Sequence, residues 1–283
     1  MANTATRVTT ESRRPAGGLV PGPWQSNGVM PYPGSMLHLG LFLALIAGAS
    51  LLYATAGQSG GTAFLAAMAL LDYPAEGMRP TSLALNIVAA GYATWCLHRG
   101  GAVDWDLLRR VGLPALPTAF LGGLIVLGDQ VYLCLTGIVL IAAAALMAFK
   151  RGSRPRHPDP AGQRTIGLLW SGLAGGTAGF LSGLTGVGGG VFLAPMLIAF
   201  GWASPKSAAG ISAPFILANS AIGLAGVLAS GQRVPPDAAI LAPAALLGAA
   251  MGTWIGLRFM SEQATRWVLA AILAFAGARL VLS

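Results

Sequence analysis

Charge is what this sequence has least of. Asp, Glu, Lys and Arg make up only 9% of its 283 residues, and Asp plus Glu number just 9. With 55% hydrophobic residues and a mean hydropathy of +0.69, that scarcity excludes an ordinary soluble domain and excludes disorder. Cysteine is nearly absent too. Cys96 and Cys134 lie in or beside apolar segments and read as packed side chains. No CxxC and no Cys/His spacing points to a metal, so neither a metal nor another cofactor is expected. Acids are missing from the interiors of the apolar segments. Asp72, Glu76 and Asp129 fall in short connections, which leaves no evident proton carrier in the membrane. No Walker A pattern occurs, and no strand precedes Gly186-x-Gly188 as a dinucleotide fingerprint requires.

Apolar runs near twenty residues recur along the chain, the mark of a polytopic helical membrane protein. They cover 37–56, 62–71, 81–97, 111–127, 131–149, 166–185, 191–200, 207–228, 238–259 and 263–282. Two of them, 62–71 and 191–200, are too short to span: about ten residues reach only about 15 Å as helix. Each follows a glycine cluster, Gly57-Gln58-Ser59-Gly60-Gly61 or Gly186-Val187-Gly188-Gly189-Gly190. Glycine disfavours helix interiors, so each cluster reads as a helix that stops and restarts. Backbone groups freed at membrane depth must be buried in protein or line a polar cavity. One such break in each half points to a transporter substrate site.

The order of segments repeats, which divides the chain into a tail (1–35), a first repeat (36–149), a linker (150–165) and a second repeat (166–283). The tail holds a Pro/Gly-rich stretch and no early apolar core, so it is expected to be disordered rather than a cleavable signal. The linker carries Lys150, Arg151, Arg154, Arg156 and Arg164 against Asp159 and should be cytoplasmic; so should the loop with Arg99, Arg109 and Arg110. The net charge of +8 resides mostly in such loops and tails, so nucleic acid is not an expected partner, whereas the lipid bilayer is. If each break merely dips and returns, each half crosses four times and the repeats are parallel. If the break is extended, it adds about 17 Å to the half-helix. Each half then crosses five times and the repeats are inverted. The inverted 5+5 form is preferred because it sets two broken helices face to face around one site.

The segment Gly179-Phe-Leu-Ser-Gly183-Leu-Thr-Gly186-Val-Gly-Gly-Gly190, then Val191-Phe-Leu-Ala-Pro195-Met-Leu and Ala208-Ala-Gly-Ile-Ser212, resembles the sulfite/sulfonate exporter family TauE/SafE. The first half carries a weaker version, with Gly57-Gln-Ser-Gly-Gly61, Ala66 in place of Pro195, and a fitting Pro80-Thr81-Ser82. The resemblance spans about residues 36–283. It implies a bacterial inner-membrane exporter of small sulfur-containing anions such as sulfite, thiosulfate or sulfoacetate-like organosulfonates, with no enzyme activity. A homodimer is left open.

An oxyanion in a membrane needs hydrogen-bond donors with few bare charges. Half-helix N-termini provide N–H groups and a partial positive charge. The candidate substrate-binding residues are therefore Gly60, Gly61, Thr62, Ser82, Asn86, Thr185, Gly188, Gly189, Gly190, Ser212 and Asn219. A second pair of helix N-termini is expected near Thr81-Ser82 and near Ser212. Arg79 and Lys206 sit at helix starts from which they reach inward. Each hydroxyl has an alternative role, bonding to its own helix backbone, and each glycine has one in helix packing. Rival functions are an anion or small-solute channel with paired half-helices and, more remotely, an intramembrane serine hydrolase at Ser182. The hydrolase needs a base beside the serine, yet His38, His98 and His157 all lie near segment ends or in a loop.

Overall fold

In lipid every backbone polar group must be satisfied within the protein, so apolar runs of this length fold as helices. The computed structural model describes residues 36–55, 57–149, 168–199, 202–203 and 205–256, with helical residues 274–275, 277–278 and 280–282 near the C-terminus. The expected tail, the linker and most of the last apolar segment lie outside the described residues.

The helices are α1 (Met36–Thr55), α2 (Gly61–Leu70), α3 (Ala75–Arg99), α4 (Trp105–Leu124), α5 (Asp129–Phe149), α6 (Leu168–Thr185), α7 (Gly190–Ala199), α8 (Pro205–Ala229) and α9 (Asp237–Gly256). No strand occurs among the described residues. Helices α1 to α4 have 20, 10, 25 and 20 residues, and α6 to α9 have 18, 10, 25 and 20. Among the described residues, three spans, Met36–Thr55, Ser207–Ala229 and Asp237–Ile255, are long and apolar enough to cross a membrane. Leu113, Leu121, Ile138, Trp170, Leu247, Met251 and Trp254 are all more than half exposed. So many large apolar side chains facing outward fit contact with lipid, not water.

One expectation is corrected. Helices α3 and α8 start at Ala75 and Pro205, so Ser82 and Ser212 lie about two turns inside them rather than at N-termini. Pro80 does not delimit α3 but sits within it. Its missing N–H forfeits one bond to the Glu76 carbonyl, near the helix end where the loss is most easily tolerated. Glu76 and Asp129 likewise belong to the first turns of α3 and α5.

The main contacts are symmetric under exchange of the two halves. Helix α4 packs on α6 and α8, and its counterpart α9 packs on α1 and α3; α3 also packs on α8. Glycines bring these backbones together. Gly175, Gly179 and Gly183 of α6 lie against Val111, Ala115 and Ala119 of α4 in the same order, so the two helices run parallel. Such spaced small residues let helices approach closely in membranes. Gly248 and Gly252 of α9 lie against Ala47 and Leu51 of α1, again in parallel. Helices α3 and α8 run antiparallel. Gly77, near the start of α3, meets Pro235 beyond the end of α8; Gly210, near the start of α8, meets Ala102 beyond the end of α3.

Candidate substrate site at the two helix breaks

Both breaks form where glycine allows left-handed backbone. Gly57 and Gly60 have φ of 73° and 100°; Gly186, Gly188 and Gly189 have 85°, 88° and 76°. The two helix ends are closed differently. After α1, Gln58 N–H donates to Tyr53 O at 3.0 Å and Gly57 N–H to Ala54 O at 3.1 Å, a Schellman motif with Gly57 at its left-handed position. After α6 there is a simpler cap, in which Gly186 N–H donates to Ser182 O at 2.9 Å.

That simpler cap leaves carbonyls at the end of α6, and side chains from other helices take them up. Tyr132 Oη donates to Thr185 O at 3.0 Å. Ser82 Oγ donates to Gly186 O at 2.8 Å, and Asn86 Nδ2 donates to the same oxygen at 3.3 Å. Arg79 Nη1 points to Leu184 O at 3.5 Å.

The same two α3 residues also hold the first break. Ser59 Oγ donates to Asn86 Oδ1 at 2.8 Å, and Ser82 Oγ reaches Gly61 O at 3.3 Å. Ser82 and Asn86 thus staple one break to the other, one turn apart on a single helix. The breaks touch directly. A Cβ on Gly61 would lie 2.8 Å from the carbonyl carbon of Val187 and 2.5 Å from Asn86 Nδ2; one on Gly188 would lie 2.9 Å from that same amide.

The expected site residues therefore divide. Gly60, Gly61, Thr62, Ser82, Asn86, Thr185, Gly188, Gly189 and Gly190 are brought together and are buried. Several of their hydroxyls are committed to protein: Thr62 bonds Tyr53 Oη, and Thr185 Oγ1 donates to Leu181 O at 2.7 Å. Ser212 flanks Gly190 but donates to Ala208 O of its own helix at 2.7 Å. Asn219 is fully buried, and neither its oxygen nor its nitrogen has a hydrogen-bond partner. It lies one turn after Phe215, which meets Gly189, and one turn before Gly223, which meets Gly183. Ser182, buried beside Gly189, has an unpartnered Oγ as well. Among the described residues no base reaches that hydroxyl, as a serine nucleophile would need.

Sequence reasoning missed Tyr53 and Tyr132 as polar anchors of the breaks. The available signal was a tyrosine hydroxyl within an otherwise apolar run, which must find a partner when buried.

The first turns of α2 and α7 complete the geometry. Among the described residues, the N–H groups of Gly61, Thr62 and Ala63 have no acceptor, and neither do those of Gly190 and Val191. These are the positive ends of two half-helices, buried and facing the junction.

Comparisons with known proteins identify the family. The family described as "Sulfite exporter TauE/SafE" matches residues 41–280. The chain belongs to the TauE/SafE family. It is also similar to a protein of Sinorhizobium fredii described as "Probable membrane transporter protein y4hK", with 32% identity over 232 residues, covering 82% of this chain and 94% of that protein. No solved structure matches. As a TauE/SafE member the chain is a membrane transporter, not an enzyme.

Proposed function

We propose that the chain exports small sulfur-containing oxyanions, such as sulfite, thiosulfate or sulfoacetate-like sulfonates, across the bacterial cytoplasmic membrane by alternating access around the paired breaks. One observation carries this reading: two half-helix N-termini, with their N–H groups unbonded, are buried at the point where the breaks meet. That is an anion site made without lysine or arginine, and dipoles with neutral donors suit binding weak enough for release. Asn219 Nδ2 and the Ser182 hydroxyl supply further donors on the α6 side of the second break. Ser82, Asn86 and Thr185 act in this reading as the frame that holds the N–H groups in place.

Alternating access rests on the halves being inverted repeats. The antiparallel course of the counterparts α3 and α8 supports this, as does the symmetry of the contacts. The directions of the helices put the α3–α4 connection and the end of α5 on one face. Arg99, Arg109 and Arg110 cluster there, which supports a cytoplasmic assignment for that face and for the 150–165 linker. The direct packing of one break on the other favours a transporter over a channel, since it closes the line between them in this conformation. An inside-negative potential drives an anion outward by about 2.3 kcal/mol per charge per 100 mV, so export needs no carboxylate in the membrane.

The test is a flux assay on purified protein in liposomes, run with sulfite, thiosulfate, sulfoacetate, taurine and sulfate. Saturable, potential-sensitive movement of one or more sulfur oxyanions is expected. Movement of none of them, by protein that is folded and inserted, refutes the reading.

A further inference from the structure

Arg79 is almost wholly buried, at 3% exposure, and among the described residues it has no carboxylate partner. Its guanidinium is held by neutral acceptors alone. Nη1 donates to Ile125 O at 2.7 Å and points to Leu184 O at 3.5 Å; Nη2 donates to Gln232 Oε1. One side chain of α3 thereby ties together the end of α4, the end of α6 and the α8–α9 connection. Its own backbone packs against Gly186, with a Cβ there reaching Arg79 O at 3.1 Å, so it borders the second break. On its other side lies a small cleft lined by Glu76, Asp129, Tyr132 and Gln232.

We propose that Arg79 is an anion-recognising gate on the face that carries the α2–α3, α4–α5 and α8–α9 connections. This rests on the transport reading above and assigns one side of it. A buried guanidinium without a counter-ion is costly, and an oxyanion is the group that relieves the cost, with two oxygens matching the guanidinium fork. An anion leaving the breaks takes the place of the long contact to Leu184 O. The guanidinium then gives up Ile125 and Gln232, and the ends of α4 and of the α8–α9 connection are released together. Glu76 and Asp129 at the cleft prevent the anion from lodging there, so it passes outward. The gate is one-sided. The first break packs Gly57 against Ala209, with a Cβ 3.0 Å from Ala209 O, and Ala209 holds in α8 the place of Arg79 in α3.

Two measurements test this. In melts of purified protein, sulfite, thiosulfate or sulfate should stabilise the wild type relative to chloride. Arg79→Lys should need about tenfold more oxyanion, because an ammonium lacks the fork, and Arg79→Gln should show no stabilisation. In oriented proteoliposomes, oxyanion added on the Arg79 face should inhibit efflux about tenfold more weakly in Arg79→Lys. The half-saturating concentration on the opposite face should be unchanged. A merely structural arginine would shift both faces alike, so equal shifts, or none, overturn the gate. Absence of any oxyanion stabilisation in the wild type also overturns it. Stabilisation that depends on Arg79, in a protein that moves no sulfur oxyanion, overturns the transport reading and leaves the anion site standing.

Discussion

A single added methyl at Gly61 separates a packing role from a helix-propensity role, because the two predict opposite signs. Gly61 opens α2, and alanine is favoured over glycine in helices by up to about 1 kcal/mol. Propensity alone therefore expects Gly61→Ala to stabilise. The geometry expects the reverse. The new Cβ would lie 2.5 Å from Asn86 Nδ2 and 2.8 Å from the Val187 carbonyl carbon, where ordinary contact begins at 3.4 Å. The breaks must part by about 1 Å, and overpacking of this kind costs about 1–3 kcal/mol. A shift of that size carries Ser59 Oγ–Asn86 Oδ1 and Ser82 Oγ–Gly186 O, each 2.8 Å long, beyond hydrogen-bond range. Each lost bond adds about 0.5–1.5 kcal/mol. With the propensity gain set against these losses, the net expectation is destabilisation of about 1–6 kcal/mol together with loss of flux. Gly48→Ala is the matched control: Gly48 lies in α1 with nothing within 4 Å of its added Cβ. Thermal unfolding in detergent and liposome flux should place the two variants on opposite sides of the wild type. If Gly61→Ala behaves like Gly48→Ala in both assays, the breaks are not in the contact described and the argument for a shared site fails.

Asn86→Ala removes the amide that joins Ser59 to Gly186, leaving Ser59 without its acceptor; a loss of about 2–4 kcal/mol is expected in the same melt, since two bonds go and a buried group is orphaned. Asn219→Leu should leave folding stability unchanged or raise it, because the amide makes no hydrogen bond, while oxyanion binding weakens about tenfold or more; a melt and a binding titration read the two separately. Ser212→Ala should change oxyanion binding by less than about threefold, since its hydroxyl is spent on Ala208 O, and a larger loss in the titration would show that the hydroxyl turns toward the substrate. A cysteine placed in the 150–165 linker should resist an impermeant thiol reagent in intact cells and react after lysis; ready labelling of intact cells reverses the orientation.

The sequence was most legible where glycine was the signal. The half-helices begin and end within one residue of the spans read from hydropathy, and the glycines flanking them take the left-handed backbone that few other residues adopt. Legibility failed at Pro80. The helix start was expected near Thr81-Ser82, but the cost of the proline falls on a single bond near a helix end, and α3 begins about two turns before Ser82. The roles of the hydroxyls were not legible either. Ser82 and Ser212 occupy the same place in two 25-residue helices, yet one bridges the breaks and the other bonds its own backbone. Which acceptor a hydroxyl chooses depends on what the fold sets beside it. Ser82 has Asn86 one turn on as its ally at the junction; at that register α8 carries Ile216, and its asparagine falls instead at Asn219, where it finds no partner. The buried arginine was visible as a charge at the edge of an apolar run, but two of its three acceptors are main-chain carbonyls, of Ile125 just beyond α4 and of Leu184 in α6, and carry no side-chain signature.

The crossed partnership of the helices bears on how the chain is assembled. α1 leans on α9, and α6 on α4, so α1 must wait in the bilayer until α9 has been synthesised before Ala47 can meet Gly248. Neither half contains the surface that its own leading helix needs. Severed halves should be degraded when made separately, yet complement one another when made together in the same membrane. The same dependence makes insertion self-checking: an α1 inserted the wrong way up would meet α9 head to tail, and its alanines and leucines would miss the glycines shaped to receive them.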